Sequence, residues 1–124
     1  MSEAKSDAKR HSGGCQCGRV RYEVELDLSK PVISCNCSMC GRAGTLLMFV
    51  PADRFTLRSG EDALTDYQFN KHVIHHLFCR VCGIKSFARG AGRDGKEQIA
   101  VNTRCLDGVD PDALHIQKFN GRDR

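Results

Sequence analysis

Seven of the eight cysteines in this 124-residue chain fall into three tight clusters. They are C-Q-C at Cys15 and Cys17, C-N-C-S-M-C at Cys35, Cys37 and Cys40, and C-R-V-C at Cys79 and Cys82; Cys105 stands apart. Partners within a cluster are too close for easy disulfide geometry. The opening M-S-E-A-K-S-D-A-K-R-H-S is charged and lacks the apolar stretch of a secretory signal. In such a chain clustered cysteines point to metal, with disulfides between clusters as the alternative, and the expected location is cytoplasmic. Soft thiolates select zinc or iron–sulfur chemistry ahead of copper(I).

A closed structural zinc site wants four ligands. Cys15, Cys17, Cys79 and Cys82 supply them as two plus two, tying the start of the chain to its middle. A small β domain with a thin core gains stability from such a staple. Cys35, Cys37 and Cys40 are then one ligand short. Cys105, one of His72, His75 and His76, or a water could complete the set. Three protein ligands and an exchangeable position is the pattern of a catalytic zinc. Three thiolates make it a poor Lewis acid, better suited to activating an incoming thiol than to making hydroxide. The alternative is a second structural site closed by Cys105.

The rest of the chain reads as short strands. G-R-V-R-Y-E-V-E-L (residues 18–26) alternates strictly, with Val20, Tyr22, Val24 and Leu26 on one face. P-V-I-S-C-N-C leads into the triple cluster, and the continuous apolar run G-T-L-L-M-F-V-P-A suits a central strand ending at Pro51. Further strands are expected over residues 55–58, 64–69, 73–79, 85–89, 98–103 and 115–119. No long helix is expected. Asp53 is read as the cap of a single turn, and Pro111 suits the first position of another. The expected class is mainly β, in one domain over residues 13–121 behind a flexible lead-in over residues 1–12.

The formal charge of +4 invites a nucleic-acid partner, but seven thiolates around two divalent ions would bring it to +1. Lysines and arginines are interspersed with acids, as on a solvated surface. No run of about 18 apolar residues signals a membrane span. Neither nucleic acid nor membrane is expected as a partner.

Other candidates carry weaker signals. On a strand, His72 and His76 share a face and His75 lies opposite; His76 could bond a thiolate or act as acid and base, or be a plain strand imidazole. Arg42 could hold a carboxylate of an incoming thiol peptide or be solvated. Arg104 and Asp107 could pair with each other or line the pocket. Asn102 could orient a bound group or satisfy nearby backbone. Phe49, Phe69, Phe78 and Phe87 read as core, and Cys105 as a buried small residue.

Four ordered motifs run through nearly the whole chain: G-G-C-Q-C-G-R-V-R-Y-E, C-N-C-S-M-C-G-R-A-G, H-L-F-C-R-V-C-G and V-N-T-R-C-L-D-G-V-D. Together they resemble the glutathione-dependent formaldehyde-activating enzyme family, which includes the centromere protein V group. The resemblance implies a zinc-stapled β-tent (Mss4-like) fold of short antiparallel strands holding two Zn(2+) per chain. By motif, Cys15, Cys17, Cys79 and Cys82 match the structural zinc ligands, and Cys35, Cys37 and Cys40 the catalytic ones. The implied activity is that of a carbon–sulfur lyase. It handles the adduct of a small thiol such as glutathione with a small aldehyde, as in S-hydroxymethylglutathione. The alternative is a non-enzymatic interaction module with two structural zincs.

Overall fold

A computed structural model of the protein describes residues 8–68, 74–92 and 94–120. Among the described residues ten strands form two sheets. The smaller has the order β1 (Lys9–Gly14), β2 (Arg21–Leu26), β5 (Phe55–Ser59). The larger has the order β10 (Ile116–Phe119), β3 (Val32–Cys35), β4 (Leu47–Pro51), β9 (Glu97–Asn102), β8 (Lys85–Ala91), β7 (His75–Cys79), β6 (Leu64–Tyr67). All pairings are antiparallel except that of β10 with β3. A six-residue helix, α1 (Ser38–Ala43), follows β3. Among the described residues no helix is long and apolar enough to cross a membrane.

The core lies between the sheets and follows from alternation. Val20, Tyr22, Val24 and Leu26 are all buried, as their spacing requires. Val32, Met48, Val50, Leu77, Phe87, Ile99 and Val101 meet them from the large sheet. Tyr22, Phe55 and Phe87 join the two layers, with ring centroids 4.6 to 6.0 Å apart. Such edge-to-face and tilted contacts add to the burial of the rings.

The large sheet has a second face with a small apolar cluster of its own. Cross-strand partners share a face, and the ladders pair Ile33 with Leu47, Leu47 with Asn102, Ala88 with Ala100, and His76 with Ala88. Leu47, Ala88, Ala100 and Ile33 pack there with Cys35, Cys37 and Cys40. The continuous apolar run of β4 thus serves both faces: Met48 and Val50 point inward, Leu47 outward. Phe49, expected in the core, lies opposite Ala100 on this outer face and is 56% exposed.

The strand positions agree with the sequence to within a few residues, and β4 is internal to its sheet. Residues 69, 72 and 73, and with them Phe69 and His72, lie outside the described residues. The expected lead-in is strand from Lys9 onward. Its charged side chains face solvent while its backbone pairs with β2, so no apolar alternation announces it. Pro111 opens a single turn capped by Asp110, whereas Asp53 lies inside its turn rather than capping it.

The Gly-Gly pair before Cys15 has a steric reason. A Cβ on Gly14 would sit 1.9 Å from the Val20 carbonyl oxygen, across the loop that the Cys15 N–H closes by bonding that same oxygen at 3.1 Å. The obstacle is backbone and cannot swing aside. Gly14→Ala should therefore destabilise the fold by about 2 kcal/mol or more. Guanidinium unfolding of the metal-loaded protein reads this loss directly.

Candidate metal centres

All eight cysteines are free thiols. Sγ atoms of Cys15, Cys17, Cys79 and Cys82 lie within 4.8 Å of one another and could hold a metal ion. Cys15 and Cys17 follow β1 in the small sheet; Cys79 ends β7 in the large one, with Cys82 three residues on. The Cys15–Cys17 and Cys17–Cys79 sulfur separations are both 3.6 Å. Four sulfurs bonded tetrahedrally at the zinc–thiolate length stand about 3.8 Å apart, so the set fits such an ion.

Backbone amides prepare these sulfurs for negative charge. The Val20 N–H donates to Cys15 Sγ at 3.3 Å, and those of Val81 and Cys82 donate to Cys79 Sγ at 3.4 and 3.5 Å. The N–H of Ile84 foremost, then that of Cys17, pulls the Cys82 thiol down to about 6. Gly83 takes φ 80° to close the turn, a conformation glycine adopts without a Cβ penalty.

The second group is Cys35, Cys37 and Cys40, whose Sγ atoms also lie within 4.8 Å of one another. Cys35 ends β3, and Cys37 caps α1 with its sulfur, which accepts the Cys40 N–H at 3.2 Å. The Cys37 N–H donates in turn to Cys35 Sγ at 3.4 Å. Burial opposes ionisation of Cys37, yet the amides of Cys40 and Met39 and the neighbouring thiols outweigh it and lower its pKa. Burial pushes the Cys40 thiol up to about 12. Among the described residues no histidine, carboxylate or fourth cysteine joins this group.

Cys105 is held elsewhere. Its half-buried Sγ donates to the Lys85 carbonyl at 3.8 Å and accepts from Asn102 Nδ2 at 3.6 Å, and burial raises its pKa to about 11. Asn102 satisfies backbone: its Oδ1 accepts from the N–H of Leu46 and Arg104, and its Nδ2 donates to the Lys85 carbonyl. Asp107 pairs with Arg21 of β2 rather than with Arg104. His75 bonds Asp66 at 2.7 Å, and Arg42 is exposed and donates to the Ser38 carbonyl of its own helix. Beside α1, Ser38, Met39, Arg42, Ala43 and Tyr67 line an open cleft of about 490 Å³.

One pair here escaped sequence reasoning. Lys85 Nζ donates to His76 Nδ1 at 2.8 Å, and both residues are buried. That contact fixes the imidazole as the neutral ring carrying its proton on Nε2. Burial, then the Lys85 charge, holds His76 down at about 4. Burial also lowers the Lys85 ammonium, while the thiols of Cys40, Cys37 and Cys35 pull it back up.

Two sheets with a four-cysteine group between them and a three-cysteine group on an outer face define a class of mainly β proteins whose cysteine clusters could hold metal ions. The sequence profile of the glutathione-dependent formaldehyde-activating enzyme family matches residues 10–119, and the chain belongs to that family. It is also similar to a crystal structure of a Rhodobacter sphaeroides protein solved as a structural genomics target. The TM-score is 0.74 and the identity 33%, over 86% of this chain and 99% of the other.

His76 gives the fold a specific acid sensitivity. An ordinary imidazole titrates near 6.5; in the fold this one titrates near 4. Between those values the unfolded chain binds a proton that the folded chain refuses, so stability falls as pH drops through this window. His76→Gln, with an amide oxygen to accept from Lys85, should flatten the curve between pH 6.5 and 4 by on the order of 3 kcal/mol. Denaturant midpoints across that range, compared with wild type at fixed metal concentration, check it.

Proposed function

We propose that the protein is a zinc-dependent enzyme of the carbon–sulfur lyase type, acting on the adduct of glutathione or a similar thiol with a small aldehyde such as formaldehyde. In this reading Cys15, Cys17, Cys79 and Cys82 hold a structural zinc, and Cys35, Cys37 and Cys40 hold a second, reactive one. The single observation that carries it is the inequality of the two centres. One gathers four thiols; the other gathers three with no further ligand among the described residues. Family membership supports the choice of thiol and aldehyde.

Zinc bound to the three cysteines would be a poor Lewis acid toward water but would supply a position at which an incoming thiol gives up its proton near neutral pH. The chain's own part begins with the backbone N–H groups of Cys37 and Cys40, which donate hydrogen bonds to the sulfurs of Cys35 and Cys37 and hold them in place. Leu47, Ala88, Ala100 and Ile33 surround the cysteines with apolar surface, which keeps water away and strengthens charge interactions there. The open cleft beside α1 admits a peptide-sized thiol, with Arg42 on its rim to meet a carboxylate. In the synthetic direction the thiolate sulfur attacks the aldehyde carbon. A C–S bond forms, the carbonyl π pair moves to oxygen, and that oxygen takes up a proton; cleavage is the reverse.

The test measures metal per chain and the absorption of the cobalt-substituted protein, with and without excess glutathione. Glutathione should alter only the three-cysteine centre, and Cys40→Ala should lose one metal of two and abolish the response. Exchange NMR should show faster formation of the thiol–aldehyde adduct than in buffer. Two metals held equally and indifferent to thiol would instead identify a non-enzymatic module with two structural ions.

A further inference from the structure

Lys85 stands where the ladder alone would not put it. β7 and β8 pair Leu77 with Phe87 but Phe78 with Lys85, so Ser86 is an extra residue in β8. Without that bulge Lys85 would share the face of Phe87 and point into the core. With it, Lys85 lies opposite Phe78, on the face that carries His76, Ala88 and the three-cysteine cluster. Bulges re-aim side chains in this way and are enriched beside functional sites.

A buried ammonium needs an anion. Lys85 is 9% exposed, and among the described residues it forms no salt bridge with a carboxylate. Its hydrogen-bond acceptor, His76, is a neutral ring that orients the charge without balancing it. On the face it shares with the three-cysteine cluster, the groups that would balance its charge as thiolates are Cys40, Cys37 and Cys35. The four-cysteine centre has no such buried cation among the described residues. Arg19 reaches Cys17 Sγ at 3.8 Å, but from the exposed surface, where solvent screens it.

We propose that Lys85 is the counter-ion of the three-cysteine centre and lets that centre accept a thiolate as its fourth sulfur. The inference rests on the function proposed above and deepens it. Three thiolates around a divalent cation leave one net negative charge, and a fourth thiolate makes two. In a partly desolvated site that second charge is strongly resisted. Lys85 returns the thiolate-bound centre to a single negative charge. It is a positioning residue whose effect depends on the charge of the incoming ligand: it favours a thiolate and is indifferent to a neutral donor.

The experiment uses the full chain with cobalt(II) at both centres, titrated separately with glutathione and with imidazole, a neutral ligand. Sulfur-to-cobalt charge transfer reports thiolate binding, and the unchanged bands of the four-cysteine centre report folding. In Lys85→Met, glutathione should bind about tenfold more weakly or worse, while imidazole binding stays within about twofold of wild type. If Lys85→Met disturbs the four-cysteine bands, Lys85→Gln, which keeps a donor for His76 Nδ1, makes the same comparison. Equal glutathione affinity in wild type and variant, or equal losses for both ligands, overturns the role of Lys85. A wild type that ignores glutathione overturns the proposed function itself, and this inference with it.

Discussion

Four sulfurs within 4.8 Å of one another, contributed by both sheets, are the constraint on which the rest of this structure depends. Four sulfurs so close could hold a metal ion, and an ion there would join the two sheets at one point. The junction joins residues 62 apart in sequence, a long loop whose closure is paid for once and then shared by every strand between. The aromatic trio of Tyr22, Phe55 and Phe87 fills the sandwich between the same two layers. Neither contact has to stabilise the domain alone.

The large sheet divides its labour between its faces. One is spent on the core, where period-two alternation supplies Val32, Met48, Val50, Ile99 and Val101. The other carries the three-cysteine cluster on a small apolar bed, with the Lys85–His76 pair buried at its side. This explains why β4 reads as a continuous apolar run and yet leaves Phe49 exposed. Binding sites in small proteins are commonly built on a rigid element whose opposite side is locked into the core. Here the same strands β4, β8 and β9 line the core on one face and the three-cysteine cluster on the other.

What could be read from the sequence was whatever depends on residue type at short range. The cysteine spacings mark both thiol groups, and strict alternation marks β2 and its buried face. Features that depend on backbone partners were not legible. Strand β1 has no apolar pattern because its charged side chains face water and its place in the sheet is set by backbone pairing with β2. Helix α1 begins on a cysteine cap, where the familiar signals are serine, threonine, asparagine or aspartate; the left-handed Gly44 at its other end was the available cue. Arg104 and Asp107 are near in sequence, but Arg21 across the fold takes the acid. The placement of Lys85 turns on one inserted residue in a ladder, which no periodicity in β8 alone reveals.

The parallel pairing of β10 with β3 sets an order of events. All four sulfurs of the inter-sheet junction have left the ribosome once residue 82 is out, so that centre can gather metal while synthesis continues. The strand that presents Cys35 gains its outer neighbour only when Ile116–Phe119 arrives, and Asn36 then donates its N–H to the Phe119 carbonyl and its Nδ2 to Asn120 Oδ1. Cys35, Cys37 and Cys40 emerge earlier still, but the strand that carries Cys35 is paired on its outer edge last. The sheet edge beside the three-cysteine group is thus completed only after all four cysteines of the other group are available.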